Sequence, residues 1–393
     1  MRRIMLSEVG RCTGCAACRA ACPRGAIAMR EDEEGFLRPV VNDEACMGCG
    51  RCEKACPVLH PAEARMPMRV VAAQAKDEDL RLKSSSGGVF SLLAQTGLNR
   101  GGVVFGAAVC GPDNKVAHIK AENEGELARL RGSKYVQSDI GESYVEAKAL
   151  LDAGRWVLFS GTPCQIAGLR KLLGRDYDNL LCVDVICHAV PSPLAWREYL
   201  ARRMNDGCDI AAVKVSFRDK IFGWKRSSMS LVGEDGLRYV SSLNRDSFLR
   251  GFLSELYNRP SCHQCPCRDL RSGSDITIAD YWRVVRRFPD ADDDKGTSLV
   301  LINSSKGGRE FAEVSSAMRL WESDFADALR VNPALHGSTI PHRNRARFFE
   351  LANTRDFDEL VRKLLRPTFR GWIRSRKLKL RRWAGSIYRR CFK

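Results

Sequence analysis

The chain contains two cysteine runs whose spacing suits the binding of inorganic clusters. Residues 12–23 read CTGCAACRAACP and residues 46–57 read CMGCGRCEKACP, so the pattern Cys-x2-Cys-x2-Cys-x3-Cys-Pro occurs twice. Cysteine thiolates are soft ligands that suit iron–sulfur clusters, and small residues between them let backbone N–H groups approach the sulfur atoms. The repeat therefore predicts two [4Fe–4S] clusters that exchange single electrons.

The fourth cysteine of such a run binds the cluster of the other run. We expect one cluster to be held by Cys12, Cys15, Cys18 and Cys56, and the second by Cys46, Cys49, Cys52 and Cys22. The competing interpretation is zinc, but zinc motifs usually separate two cysteine pairs by a longer loop. The arrangement resembles bacterial two-cluster ferredoxins over about residues 1–60.

A further cysteine, Cys164, lies in FSGTPCQIAGLR, where an apolar run gives way to a helix-like pattern. A thiol at such a turn can be a nucleophile, a metal ligand, a wall of a cofactor pocket or a buried small residue. A nucleophile needs a base, and His188 is the local candidate. The segment CHQCPC adds Cys262, Cys265 and Cys267, and two cysteines at this spacing cannot complete a tetrahedral site alone.

Strands and helices alternate in the segments around Cys164. Strand-like runs are MRVVAAQAKD, GGVVFGAAVC, RWVLFSG and NLLCVDVIC, and helix-like runs are ESYVEAKALLDAG, TPCQIAGLRKLLG and PLAWREYLARRM. This alternation predicts an α/β domain with a largely parallel or mixed sheet. The predicted fold class is thus α+β and α/β: a two-cluster ferredoxin-like domain, a mixed α/β domain and a basic helical tail.

Three turns of this domain have the composition of a ligand site. They are SSSGGVF (84–90), RGSKYVQSD (131–139) and SGTPCQ (160–165). Ligands bind at the carboxyl ends of the strands in such folds, and hydroxyls and glycines at a helix start suit phosphate groups. Each turn alone is also typical of a helix cap, but the three together favour a nucleotide-type cofactor. Neither G-x-G-x-x-G nor a P-loop is present, which argues against an ordinary dinucleotide fold or an NTPase.

Six segments carry a more specific resemblance. They are SSSGGVFSLLA, RGSKYVQSDIG, LFSGTPCQIAGLR, DVICHAVPSP, VSFRDKIFGW and RPSCHQC with RSGSDITIADYW. In this order they resemble the beta-subunit family of coenzyme factor-420 (deazaflavin) hydrogenases and dehydrogenases, over about Val70–Arg283. The resemblance implies a bound FAD and electron transfer between the flavin and the clusters.

The resemblance also implies site residues. The FAD would be bound by Ser85, Ser86, Gly87, Gly88, Val89, Lys134, Tyr135 and Thr162. A third [4Fe–4S] cluster beside it would be held by Cys164, Cys187, Cys262 and Cys265. Cys267 is an additional thiol that could replace one of the four. The catalytic residues and the substrate are not indicated.

The function that follows is that of an iron–sulfur flavoprotein oxidoreductase, with hydride exchange at the flavin to an unidentified substrate or deazaflavin-like coenzyme. The alternative is an electron-transfer subunit that has no substrate site and serves a partner oxidoreductase. A redox partner protein or a ferredoxin is expected in either case.

The net charge of +17 is concentrated at the C-terminus, where residues 361–393 contain 13 Lys and Arg and no Asp or Glu. We expect domains at residues 1–62, 68–355 and 356–393, the last a basic amphipathic tail. Interleaved tryptophans suit an anionic membrane surface, and docking to a partner is the other interpretation. Nucleic acid is disfavoured because the rest of the chain has no matching basic excess. No membrane span or signal peptide is indicated, so a cytoplasmic protein is expected, with the inner membrane face as a peripheral site.

Overall fold

The computed structural model describes residues 6, 8, 10–205, 214–233, 236 and 238–366. The N-terminal region has two short helices and one antiparallel strand pair. In chain order these are α1 (Ala17–Ala20), β1 (Ile27–Glu31), β2 (Leu37–Val41) and α2 (Arg51–Lys54). Each cysteine run thus begins as a loop and ends in one helical turn, and the hairpin β1–β2 separates the two runs.

The strands of the remaining chain form two sheets. They are β3 (Arg69–Ala75), β4 (Val103–Cys110), β5 (Lys115–Ala121), β6 (Val157–Gly161), β7 (Leu180–Val185), β8 (Lys214–Asp219), β9 (Ser228–Val232), β10 (Arg238–Ser242), β11 (Ile276–Asp280), β12 (Ser298–Ile302) and β13 (Met318–Glu322). Strands β8 to β10 form a small antiparallel sheet, and the other eight have the order β13-β3-β12-β11-β7-β6-β4-β5.

The helices connect these strands and cover both faces of the large sheet. They are α3 (Glu78–Lys83), α4 (Val89–Asn99), α5 (Glu124–Leu130), α6 (Ser143–Asp152), α7 (Pro163–Leu173), α8 (Pro193–Asn205), α9 (Ser247–Leu253), α10 (Ser305–Ser315), α11 (Phe325–Val331), α12 (Arg345–Leu351) and α13 (Phe357–Leu364). A 3-10 helix spans Pro260–Gln264 and contains Cys262.

The large sheet is mixed. Strands β4, β6, β7 and β11 are neighbours and parallel, whereas β5, β12 and β13 pair antiparallel with their neighbours. The predicted mixed α/β domain is therefore confirmed, and the segments predicted from their pattern adopt the predicted structure. Because β6, β7 and β11 run in the same direction, the loops that follow them meet at one edge of the sheet.

Burial explains why the central strands read as continuous apolar runs. Val157, Leu158 and Phe159 of β6 are fully buried, because helices cover both faces of the sheet. On one face, α1 of the N-terminal region packs in the same cluster as α6 and α7. The N-terminal region is thereby fixed against α7, the helix whose first turn contains Cys164.

The smaller sheet packs with α8, α9 and α13 around a cluster of aromatic residues. Phe357, Leu360, Val361 and Leu364 of α13 are buried in this cluster. The first residues assigned to the basic tail therefore form a packed helix instead. The predicted membrane-binding segment, residues 367–393, lies outside the described residues. No helix in the described part of the chain is both long and apolar enough to cross a membrane.

Candidate functional site

The two cysteine runs adopt the same backbone shape. Gly14 and Gly48 have φ of 69° and 67°, and Ala16 and Gly50, which precede α1 and α2, have φ of 60° and 71°. This left-handed conformation favours glycine, so the small residues at these two matched positions are required by the loops. Each loop then enters a helical turn that carries the third cysteine of its run.

The first predicted ligand set lies around one cavity. Cys12, Cys15, Cys18 and Cys56 all line it, together with Met29 and Val58. Three of the cysteines come from the first run and one from the second, as the predicted exchange of the fourth cysteine requires. Burial, together with the charge on Cys12 and Cys56, raises the pKa of Cys18 to about 12. Such thiols ionise readily only when an iron atom binds them.

The second predicted set lies nearer the surface. Burial raises the pKa of Cys52, and Cys22 is close enough to contribute to the rise. The Cys22 sulfur accepts a hydrogen bond of 3.2 Å from the backbone N–H of Ala26. Cys46 is half-buried and Cys49 is exposed. This side of the N-terminal region is therefore open to solvent.

Cys164 occupies the start of α7 for local reasons. Strand β6 ends at Gly161, Thr162 is the N-cap, and Pro163 suits the first helical position. The Gln165 side chain accepts the Thr162 backbone N–H at 2.9 Å and its hydroxyl at 3.0 Å. The Thr162 hydroxyl oxygen lies 3.2 Å from the Cys164 sulfur.

A second cavity is lined by cysteines of the α/β domain, and it corresponds to the predicted third cluster site. Cys164, Cys187, Cys262 and Cys265 line it together with Cys267. They come from the start of α7, the loop after β7 and the segment around Pro260–Gln264, which converge at the carboxyl edge of the sheet. Arg268 fixes the β7 loop by donating to the carbonyls of Cys187 and His188 at 3.1 and 3.0 Å.

The pKa values of the thiols in this cavity depend on one another. Burial raises the pKa of Cys187, with further contributions from Cys262, Cys164 and Cys265. A hydrogen bond from Cys267 lowers the pKa of Cys265 to about 6. Burial raises the pKa of Cys164 to about 11, whereas a nucleophilic cysteine needs a lowered pKa.

The two cavities adjoin. Thr13 lines both of them, and its hydroxyl oxygen is buried without a hydrogen-bond partner among the described residues. A Cβ on Gly168 of α7 would lie 3.1 Å from the Cys15 sulfur, so this helix and the first cysteine loop are in contact. A buried hydroxyl without a partner needs an acceptor, and the sulfides of a cluster in either cavity would accept a hydrogen bond from Thr13.

The predicted ligands of each cavity are spread around its wall. Within the described ranges, no three His, Cys, Asp or Glu side chains converge as ligands of one metal ion. The thiolates of a cubane bind separate iron atoms and surround a space instead of meeting at a point. Two cavities, each with four predicted ligands on its wall, have this arrangement.

The first predicted flavin turn is largely occupied by contacts within the protein. The Ser86 hydroxyl donates to the Thr297 carbonyl at 2.8 Å, and the Gly87 N–H donates to the Ser298 hydroxyl at 2.9 Å. A Cβ on Gly87 would lie 2.1 Å from the Ala73 carbonyl oxygen, which explains the glycine. Gly88, with φ of 93°, is the N-cap of α4, and Val89 is buried at its start.

The second predicted flavin turn adjoins the first, since the hydroxyls of Ser85 and Ser133 are 3.0 Å apart. The Lys134 ammonium donates to the carbonyls of Arg129 and Arg131 at 2.9 and 2.7 Å. Burial lowers the pKa of Lys134 to about 7. The half-buried Tyr135 ring packs against Phe252 with the ring centres 4.9 Å apart.

The second turn also connects to the third. The Gln165 amide donates to the Ser138 hydroxyl at 2.8 Å, and Ser138 lies 2.9 Å from Nδ1 of His118. The structure therefore brings all three predicted turns to one edge of the sheet. Lys134, however, is directed towards backbone carbonyls of its own loop.

Two buried arginines, Arg218 and Arg259, lie near these turns. Arg218 pairs with Asp280, and its Nη2 is buried without a hydrogen-bond partner among the described residues. Its guanidinium carbon lies 5.3 Å from the centre of the Trp282 ring, which stacks on Trp224 at 5.2 Å. Arg259 lies between the two cavities. A single arginine among 64 Lys and Arg residues has no distinguishing sequence signal.

Comparison with known proteins gives three family matches. The model described as "Coenzyme F420 hydrogenase/dehydrogenase, beta subunit N-term" matches residues 70–143, and the one for its C terminus matches residues 154–328. A "4Fe-4S dicluster domain" matches residues 11–59, in agreement with the predicted ferredoxin-type region.

One solved structure that resembles the chain is a subunit of the F420-reducing [NiFe] hydrogenase complex from Methanosarcina barkeri, in a xenon derivative. The two chains are 17% identical with a TM-score of 0.46, and the match covers 76% of this chain and 91% of that chain. A search of curated proteins found no match.

Proposed function

Because the chain belongs to the beta-subunit family of coenzyme F420 hydrogenases and dehydrogenases, with a 4Fe-4S dicluster domain in front, we propose that it is an iron–sulfur flavoprotein oxidoreductase. A [4Fe–4S] cluster supplies one-electron transfer, and a flavin converts between one-electron and two-electron chemistry. The residues of this chain hold, space and insulate these groups.

The observation that carries the proposal is the pair of adjoining cavities. Cys12, Cys15, Cys18 and Cys56 would hold one cluster of the dicluster domain, and Cys22, Cys46, Cys49 and Cys52 the other. Cys164, Cys187, Cys262 and Cys265 would hold a third cluster. The shared wall residue Thr13 and the contact of Cys15 with α7 support direct electron transfer between the first and third sites.

The electron path would have one end at the exposed second site and the other at the large sheet. The exposed Cys49 supports the surface of the second site as the place where a redox partner protein or a ferredoxin exchanges electrons. The buried cysteines of the first site lie between that surface and the α/β domain. The end of the path would be the carboxyl edge of the large sheet.

We place the FAD at that edge, where the three turns meet. The contact of Ser85 with Ser133, and the chain of hydrogen bonds from Ser138 through Gln165 to Thr162, support one continuous binding surface. The Nη2 of Arg218, beside the Tyr135 hydroxyl, is a donor that a flavin or an anionic substrate would approach. Because Lys134 is bound to backbone carbonyls, we expect it to shape its loop instead of meeting the ring.

The third cluster is tested by its iron. Anaerobically purified protein should contain about twelve iron atoms per chain, since three [4Fe–4S] clusters bind four each. The substitution Cys187→Ala should reduce this to about eight and remove one EPR signal of the reduced protein. Cys182→Ser is the matched control, because Cys182 lies five residues earlier, buried on β7 and outside the cavity. Eight irons in the wild type would refute the third cluster.

The flavin is tested in the same material. Acid-denatured protein should release about one FAD per chain, identified by chromatography. Clusters without a flavin would instead support the alternative function, an electron-transfer subunit that serves a partner oxidoreductase and has no substrate site of its own.

A further inference from the structure

Arg259 joins the N-terminal region to the body of the chain. It directly precedes the 3-10 helix of Cys262, and its side chain is only 1% exposed. Its Nε donates to the Cys12 carbonyl at 2.9 Å, Nη1 to Gln137 Oε1 at 2.8 Å and Nη2 to the Leu37 carbonyl at 3.0 Å. The guanidinium is therefore fixed in position and orientation.

All three acceptors of Arg259 are neutral oxygen atoms. In the described part of the chain, no carboxylate lies within ion-pair distance of this guanidinium. A buried cation is costly unless negative charge compensates it. Burial and the charge of Arg38 lower the pKa of Arg259, and the thiols of Cys12, Cys262 and Cys164 are close enough to oppose this shift. These three thiols belong to the two predicted cluster sites.

The position of Arg259 is asymmetric between the two sites. It donates directly to the loop of the first site, and a Cβ on Gly14 would lie 2.7 Å from its Nη1. Its link to the third site is through the chain, three residues before Cys262. The second site, of Cys22, Cys46, Cys49 and Cys52, receives no hydrogen bond from it.

We propose that Arg259 is a fixed counter-charge that raises the reduction potential of the cluster held by Cys12, Cys15, Cys18 and Cys56. This inference rests on the proposed function and deepens it. A positive charge stabilises the more negative, reduced state of a nearby cluster, and a buried charge is little screened by salt. Arg259 thereby sets the energy of the step between the first and third sites.

Two variants neutralise the positive charge of Arg259, one by removing it and the other by pairing it with a carboxylate. Arg259→Gln deletes it. Gln137→Glu keeps the shape and the hydrogen bond to Nη1 but adds a carboxylate that pairs with the guanidinium. In an anaerobic redox titration followed by EPR, each variant should make reduction of the first cluster at least tenfold less favourable. This corresponds to a fall of about 59 mV in its midpoint potential.

Three controls separate charge from structure. Arg259→Lys keeps the charge and should shift the potential by less than half as much. Arg345→Gln removes a second arginine that joins the same regions, with hydrogen bonds to the Asn258 carbonyl at 2.8 Å and to Glu34 at 2.7 Å. Because Glu34 compensates the charge of Arg345, this variant should leave the potential unchanged. The midpoint potential of the second cluster is the internal reference and should stay unchanged in every variant.

The outcomes are distinct. An unchanged first-cluster potential in a variant that retains its clusters would overturn the role of Arg259. If Arg259→Gln loses the first cluster, the midpoint potential of that cluster in Gln137→Glu tests the proposal instead. Loss of the cluster in both variants would make Arg259 a structural anchor only and would also overturn the proposal. A wild-type protein without a reducible first cluster would refute the proposed function itself.

Discussion

At the scale of single residues, His118 illustrates how hydrogen-bond direction fixes a protonation state. Its Nε2 donates to the Ser160 carbonyl at 3.0 Å, and its Nδ1 accepts from the Ser138 hydroxyl at 2.9 Å. A proton on Nδ1 would require the Ser138 hydroxyl to accept this hydrogen bond in addition to the one from the Gln165 amide. Burial lowers the pKa of His118 to about 4, which agrees with a neutral ring in the folded protein.

This predicts a pH dependence of stability. As the pH falls below about 6.5, the unfolded chain takes up a proton at His118, and the folded protein does so only near pH 4. The folded state therefore loses stability across this window, by about 2 kcal/mol at pH 5. His118→Gln removes this dependence whatever it does to stability at neutral pH.

The measurement is the difference in apparent Tm between pH 7.5 and pH 5 under anaerobic conditions. The fall should be smaller in His118→Gln than in the wild type. His60→Gln, at an exposed histidine, is the control and should retain the full fall. An equal fall in all three proteins would contradict a neutral buried His118.

Sequence reasoning worked best for residues with a strict spacing. The eight N-terminal cysteines were predicted from the repeat alone, and the matching dicluster domain agrees with it. Cys164, Cys187, Cys262 and Cys265 are scattered over about a hundred residues, so only the family resemblance grouped them. Thr13 and Arg259 were not predicted, because their significance depends on burial and on partners distant in the chain.

At the scale of elements, the contact between α7 and the first cysteine loop positions the two cavities. Gly168 allows it, since a Cβ there would lie 3.1 Å from the Cys15 sulfur and 3.2 Å from the Tyr144 hydroxyl oxygen. The Tyr144 hydroxyl donates to the Gln165 carbonyl at 2.6 Å, so this side of α7 is closely packed.

We therefore expect Gly168→Ala to destabilise the protein by about 1–3 kcal/mol through overpacking. Gly308→Ala is the matched control, because Gly308 also lies within a helix but its added Cβ meets only Ile302 at 3.7 Å. That substitution should stabilise by up to about 1 kcal/mol, since alanine favours helix over glycine. Thermal unfolding should move the two Tm values in opposite directions. A gain in both variants would show that α7 tolerates the methyl group.

The elements around Cys164 were predictable because each is a long apolar or amphipathic run. The small sheet β8–β10 was not predicted, and neither was the position of α13 in the core. The segment of α13 has no net charge, since Asp358 and Glu359 balance Arg362 and Lys363, but it was assigned to the tail because the residues that follow are strongly basic. Phe357, Leu360, Val361 and Leu364 form one buried face of this helix. A charge count over residues 361–393 does not reveal the helical spacing of these apolar residues.

At the scale of the whole molecule, the N-terminal region and the α/β domain share a buried boundary. Cys15 and Ala17 belong to the same core cluster as Phe105 and Phe159 of the large sheet. Arg345 and Arg259 connect the hairpin β1–β2 and its turn to the segment before Cys262. A fixed boundary of this kind keeps two one-electron sites at a constant separation, as efficient electron transfer requires.

The most direct test of this account is the EPR spectrum of the anaerobically reduced protein. Paramagnetic clusters at the first and third sites, in adjoining cavities, should interact magnetically in addition to the two clusters of the dicluster domain. The wild type should therefore give broader signals than Cys187→Ala, in which only the interaction within the dicluster domain remains. Iron should fall in parallel from about twelve to about eight atoms per chain. A wild-type spectrum that is a simple sum of two independent clusters, unchanged by Cys187→Ala, would contradict the account.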